Sequence, residues 1–293
     1  MHGEPVRRRS ALISLPAILV VAVVTQIPIL ATLALSLVRW IVVRPDLGVQ
    51  FIGLDNYAEI FRSPVFYGVV ANTALITVLS LAACTVLGIL FGLMLNRDFP
   101  GVSVVRTLII SPFFVMDAVA GIVWRTVMLN SSFGWNGWIA SKLGLPPFDF
   151  FGVHALLTII VLIVWQWTPF FVLIILAGFQ GIPEETMDSA RVDGTGWFKE
   201  LVFIRLPAIR NHIEVAVLLG LIFVLKVFGL IFVTTRGGPG TISANLPYYV
   251  YKTAFLEWDV GRAAAVAVIT VVITLFAIMA LFRWFHRRVS ETG

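Results

Sequence analysis

The chain has 293 residues, of which 59% are hydrophobic and 13% charged, and its mean hydropathy is +0.97. Soluble proteins carry about 25% charged residues, so this balance excludes an ordinary soluble domain and marks a polytopic membrane protein. The net charge of +5 is the basic excess expected of cytoplasmic loops, with no call for a nucleic-acid partner. The single cysteine, Cys84, lies in an apolar run; it excludes an internal disulfide and a cysteine metal cluster, and reads as packing.

A transmembrane helix needs about 20 apolar residues. The first candidate, about 12–38, follows Arg7, Arg8 and Arg9 and contains Pro16 and Pro28. It is too long for a signal-peptide core and reads as a retained span. The outer loop after it carries FIGLDNYAEIF, 51–61, amphipathic and aromatic. The second span is about 68–95. The third, about 107–129, is interrupted by Asp117 and Arg125. The next loop carries Trp135, Trp138, Pro146 and Pro147, which suits a membrane interface.

The fourth span, about 153–180, contains Trp165-Gln166-Trp167-Thr168-Pro169-Phe170. It leads into the longest charge-dense stretch, GIPEETMDSARVDGTGWFKELVFIRLP at 181–207. Pro183 suits a first helical position, with Glu184 and Glu185 favoured by the helix dipole. Asp193 is a candidate cap for a second helix, Gly194 and Gly196 permit a sharp turn, and Leu206 before Pro207 is a candidate stop. The stretch therefore reads as a helix–turn–helix elbow held outside the membrane. The fifth span, about 209–234, contains Lys226. A Gly237-Gly238-Pro239-Gly240 turn and Tyr248, Tyr249 and Tyr251 follow, then a sixth span of about 263–285.

With the N-terminus inside, the inner segments hold Arg7, Arg8, Arg9, Arg97, Arg106, Arg191, Lys199, Arg205, Arg210, Arg283, Arg287 and Arg288. The outer ones hold the smaller set Arg39, Arg44, Arg62, Lys142, Arg236, Lys252 and Arg262. The excess places both termini and the 181–207 elbow in the cytoplasm. The fold class is thus an all-α membrane protein of six spans, read as one transmembrane domain over 1–293.

Catalytic chemistry has little support. His2, His154, His212 and His286 are scattered without an HExxH pair, and no lysine follows a glycine, as a P-loop requires. Any ATP hydrolysis then falls to another subunit. Ionisable groups inside spans are expensive and usually face a bundle interior or a wet cavity. Asp117 and Lys226 can line a pathway or pair as a structural ion pair, and Arg125 can snorkel to the outer interface. Trp165, Gln166 and Thr168 combine ring faces with an amide and a hydroxyl, as a polyhydroxylated ligand needs; the alternative is packing around the Pro169 kink.

The elbow resembles the EAA loop of permease subunits in binding-protein-dependent ABC importers. Asp188-Ser189-Ala190 stands at the Glu-Ala-Ala position, Asp193-Gly194-Thr195 at Asp-Gly-Ala, and Ile204-Arg205-Leu206-Pro207 at the closing Ile-x-Leu-Pro. Asp188 for Glu and Ser189 for Ala are departures, and Asp188 shortens any reach to a partner. The stretches 51–57, 165–178, and 235–251 with 259–261 are similar to the carbohydrate branch, so the likeness covers nearly the whole chain.

The resemblance implies a type I importer permease fold in a prokaryotic plasma membrane. It implies a second permease subunit, two ATPase subunits holding ATP and magnesium, an extracytoplasmic binding protein, surrounding lipid, and no cofactor or metal in this chain. It also implies coupling through Glu185, Asp188, Ala190, Asp193 and Gly194, and import of a sugar or sugar alcohol by alternating access. Asp117, Trp165, Gln166, Thr168 and Lys226 are the candidate pathway residues. An ion-coupled secondary transporter using Asp117 and Lys226 is the alternative.

Overall fold

A computed structural model describes residues 4–192 and 195–290, with side chains for 16, 18–189 and 195–285. In chain order the helices are α1 (Glu4–Ser36), α2 (Asp55–Arg62), α3 (Pro64–Leu95), α4 (Val102–Ile110), α5 (Asp117–Ile122), α6 (Trp135–Leu143) and α7 (Ala155–Gln180). There follow α8 (Glu184–Val192), α9 (Trp197–Glu200), α10 (Leu206–Ala208), α11 (Arg210–Leu225), α12 (Gly229–Thr234), α13 (Leu246–Tyr251) and α14 (Val260–Ser290). A short antiparallel hairpin pairs β1 (Val38–Arg39) with β2 (Gln50–Phe51), Val38 opposite Phe51.

Among the described residues, five stretches are long and apolar enough to cross a membrane: Ile18–Ser36, Pro64–Leu95, Ala155–Gln180, Arg210–Thr234 and Val260–Phe285. A sixth is a bent pair, Val102–Phe114 with Asp117–Met128, which turns by 98°. The sequence reading has one span over 107–129; the chain breaks it at Val115 and Met116, both extended. Pro112 sits in the tight turn before the break and cannot donate a helical hydrogen bond. The fifth span is broken too, with α11 ending at Leu225 and α12 starting at Gly229. Lys226, read from sequence as deep within a helix, is therefore an exposed residue at a helix end.

The chain packs as two compact units. The first joins the chain up to Ser63 with Val250–Val271. Its turns are closed by the 51–57 motif: the buried Asn56 amide donates to the Ser36 and Val38 carbonyls at 2.9 Å. The Tyr57 hydroxyl donates to Ser36 Oγ at 2.7 Å.

The second unit joins Pro64–Tyr249 with the chain from Val272. Its centre is α7, which buries residues on most of its circumference, as a helix inside a bundle must. Small residues on α3 and α11 let those helices approach. A Cβ on Gly88 would lie 2.8 Å from Phe171 Cβ, and one on Gly220 would lie 2.5 Å from Phe171 Cζ. Close backbone approach of this kind is how membrane helices gain van der Waals contact. Cys84 is buried in that seam, its Sγ 3.9 Å from the Val164 carbonyl, in the packing role expected of it.

Candidate functional site

Each broken span exposes backbone groups that hydrocarbon cannot satisfy, so other parts of the chain must. Gln166, 4% exposed, reaches from α7 into the first break. Its Nε2 donates to the Val115 carbonyl at 2.7 Å and to Asp117 Oδ1 at 3.0 Å. Asp117 starts α5 and packs against α12, where a Cβ on Gly229 would lie 3.3 Å from Asp117 Cβ. The two breaks are thus joined. At the second break, Asn245 Nδ2 donates to the Val227 carbonyl at 2.5 Å, and its Oδ1 accepts from the Tyr248 N–H at 3.1 Å.

An aromatic cluster sits beside the first break. Trp167 stacks on Phe223 with ring centroids 4.8 Å apart and meets Phe113 edge-on at 5.7 Å. Phe170 stacks on Phe113 at 5.8 Å. The Trp167 indole nitrogen is buried and has no hydrogen-bond partner among the described residues. A buried indole N–H ordinarily finds one. The four rings thus pack on one another next to the Gln166–Asp117 hydrogen bond, with an indole donor among them.

The pathway residues read from sequence do not share one surface. Gln166 and Asp117 meet directly. Trp165 instead packs edge-on against Trp124 at 5.2 Å, in an apolar groove with Leu108 and Pro112. The Thr168 hydroxyl points to Cys84 Sγ, 3.7 Å away. No ion pair joins Asp117 to Lys226 among the described residues: Asp117 accepts from Gln166, and Lys226 lies at the end of α11. Arg125 does not only snorkel; its Nη1 donates to the Val233 carbonyl at 3.0 Å. Sequence reasoning missed Trp167, Phe113, Phe223 and Asn245 as a group. The indole N–H, which needs an acceptor wherever it is buried, was the available signal.

The elbow is built differently. After α7, the Gly181 N–H donates to the Ala177 and Gly178 carbonyls, at 3.1 and 3.2 Å. α8, nine residues long, begins at Glu184, one residue after the Pro183 expected to open it, with Glu184 and Glu185 in its first turn. Glu184, Glu185, Asp188 and Ser189 are exposed. Asp193 and Gly194 lie outside the described residues, as does the Ala190 side chain. Gly196 precedes α9, with no side-chain cap hydrogen bond. The expected stop at Leu206 does not occur. A π-helical turn, Leu201–Arg205, leads into α10, and the Leu206 N–H donates to the Leu201 carbonyl. The wider turn absorbs Pro207, which has no N–H to give. Glu200, 7% exposed, is held there by Arg205, whose Nε donates to Oε1 at 2.6 Å. Glu184, Asp188, Trp197 and Arg97 line a recess of about 870 Å³ beside this pair.

Among the described residues no group of three His, Cys, Asp or Glu side chains is placed to hold a metal. What the fold presents is a helical membrane bundle with two joined breaks and a polar elbow, the makings of a transport component. Residues 84–291 match the model of the binding-protein-dependent transport system inner membrane component family, and the chain belongs to that family. It is a multi-pass inner-membrane permease component of an ABC transporter, and not an enzyme. It is 35% identical over 272 residues to a probable ABC transporter permease, y4oQ of Sinorhizobium fredii, covering 92% of this chain and 87% of that one. It is 33% identical to the trehalose/maltose transport system permease MalF of Thermococcus litoralis, over 90% of this chain and 89% of that one. A chain of a bacterial alginate ABC transporter, crystallised with its alginate pentasaccharide-bound periplasmic protein, superposes with a TM-score of 0.81 at 23% identity, over 98% of both chains.

Proposed function

We propose that this chain is the permease subunit of an ATP-driven importer for a sugar or sugar alcohol. The observation that carries the reading is the aromatic cluster of Trp167, Phe223 and Phe113 beside the Gln166–Asp117 hydrogen bond at a helix break. Rings stack on the C–H faces of a polyol, while amide, carboxylate and indole groups meet its hydroxyls. The trehalose/maltose name of the archaeal relative supports the same class.

The elbow is the coupling element. Glu185 and Asp188 are exposed on a short helix hung between two spans, where a partner can reach them. Ala190, Asp193 and Gly194 complete the docking face. Two ATPase subunits hold ATP and magnesium; a second permease subunit completes the pathway, and an extracytoplasmic binding protein delivers substrate. Both termini and the elbow are cytoplasmic. Nucleotide binding favours the outward-open state and hydrolysis releases it, a two-state equilibrium shifted by ligand.

The test is purification from native membranes through a tag on this chain, with mass spectrometry of what stays bound. Recovery of an ATPase and a second permease, with ATP hydrolysis stimulated by a sugar-loaded binding protein, is the expected result. Recovery of the chain alone, active in ATP-free vesicles, overturns the reading. Charge reversal at Asp193 is expected to separate hydrolysis from uptake while the complex stays assembled; unchanged uptake removes that residue from the docking face.

A further inference from the structure

Residues 129–154 connect the bent span to α7 and resemble neither a solvated loop nor a spanning helix. Their surface is apolar: Phe133 is 93% exposed, and Trp135 and Trp138 each 62%. Monomeric soluble surfaces rarely carry so large an apolar patch.

Their backbone, in contrast, is paired from within. Asn130 Oδ1 accepts the Ser132 and Phe133 N–H groups at 2.8 and 2.9 Å. The Asn136 amide donates to the Leu129 and Phe148 carbonyls at 3.2 and 2.9 Å and accepts from the Phe148 N–H. Asp149 accepts from Gly152 and Val153, and the Thr158 hydroxyl donates to the Phe150 carbonyl at 2.7 Å. Asn and Asp form such turns in water as well, but here they lie beneath an exposed apolar surface. Backbone at membrane depth needs such pairing, because nothing there replaces a missing partner.

Two adjoining apolar hollows, of about 390 and 380 Å³, share Trp124, Leu129, Phe148 and Phe150. The second is floored by Leu157 and Val161 of α7, which are exposed on a membrane-spanning helix. The trough is therefore continuous with the surface that the span offers to lipid. Lys142, exposed in the last turn of α6, adds a cation to the helix that lines the first hollow through Ile139, Ala140 and Leu143.

We infer that residues 129–154 form a re-entrant hairpin seated in the outer face of the bilayer, and that its trough holds an acyl chain of a phospholipid whose phosphate faces Lys142. Trp135 and Trp138 anchor the hairpin as aromatic residues do at membrane interfaces. A docking face for a binding protein fits less well, because it would stand in water between visits.

The test is a photo-reactive benzoylphenylalanine at position 135 or 138, activated in native membranes with the transporter assembled. Adducts carrying the mass of one phospholipid are expected. Adducts to a binding protein or to a second permease subunit overturn the inference. A second readout uses the purified complex in vesicles of phosphatidylglycerol brominated at mid-chain. Bromine is expected to quench tryptophan emission, and W135F and W138F each to lose part of that quenching; an unchanged quenched fraction in both overturns it. Neither readout depends on which substrate is carried.

Discussion

At the elbow, Glu184, Glu185, Asp188 and Ser189 all face outward on α8. At the joined breaks, Gln166 and Asn245 are buried and each spends its amide on a carbonyl that a broken helix left bare. The two regions use polar groups for opposite ends. The elbow carries its acids on an exposed face, where water screens whatever they pair with, and so gains little stability from them. The breaks spend their polar groups inside the chain, because an unpaired polar group in a low-dielectric interior costs about 1–3 kcal/mol. The difference separates polar groups left at the surface from polar groups that hold the broken helices together.

The Glu200–Arg205 pair at the end of the elbow is nearly buried, and it gives the largest expected effect. Glu200→Ala strands the Arg205 guanidinium and is expected to lower stability by about 3 kcal/mol, at the lower edge of buried-pair losses. Thermal unfolding of the purified complex measures it. The double change Glu200→Met/Arg205→Met is expected to recover most of the loss, since an apolar pair of similar volume leaves no charge behind. Equal losses in both variants would mean that the pair contributes through packing alone.

Gln166→Leu comes next. It keeps the volume but leaves the Val115 carbonyl and Asp117 without their donor, an expected loss of about 2 kcal/mol. Uptake is expected to fall at least about tenfold, because a bias of about 1.4 kcal/mol between two transport states is already tenfold. Uptake at the native level would show that the first break is scaffolding.

The tryptophans sharpen the line between packing and contact. Trp165→Ala removes a half-buried ring stacked edge-on against Trp124 and is expected to cost about 2 kcal/mol, less than a fully buried ring. Trp167→Phe keeps a six-membered ring on Phe223 and removes the indole N–H together with the five-membered ring, for which about 1 kcal/mol of packing is expected to be lost. Its stability is expected to fall less than that of Trp165→Ala while the apparent KM for substrate rises several-fold. The reverse pattern would exchange the roles of the two.

The smallest stability effect and a large functional one are expected at the elbow. Glu185→Lys and Asp188→Lys change exposed residues, and each is expected to move stability by less than about 0.5 kcal/mol. Uptake per ATP hydrolysed is expected to drop. A large fall in unfolding temperature instead would place these acids in the internal accounting of the fold, alongside Gln166.

Hydropathy and the 181–207 charge run made the all-α membrane architecture and the elbow legible, because partition between water and lipid is decided residue by residue over a local window. The resemblance of the elbow and three further stretches led to the family that residues 84–291 match. The breaks were less legible. Asp117 and Lys226 stand out as charges within apolar runs, but nothing local says that Asp117 turns to Gln166 across 49 positions, or that Lys226 ends a helix. Trp165, Gln166, Trp167 and Thr168 are consecutive, yet their contacts differ: Trp165 and Thr168 share one groove, where they reach Trp124 and Cys84, while Gln166 and Trp167 turn to Val115 and Phe223. The sequence alone determined where the chain leaves water. Only the tertiary structure decided which polar groups meet inside, because a hydrogen bond depends on the distance between two side chains and on no property of either one alone.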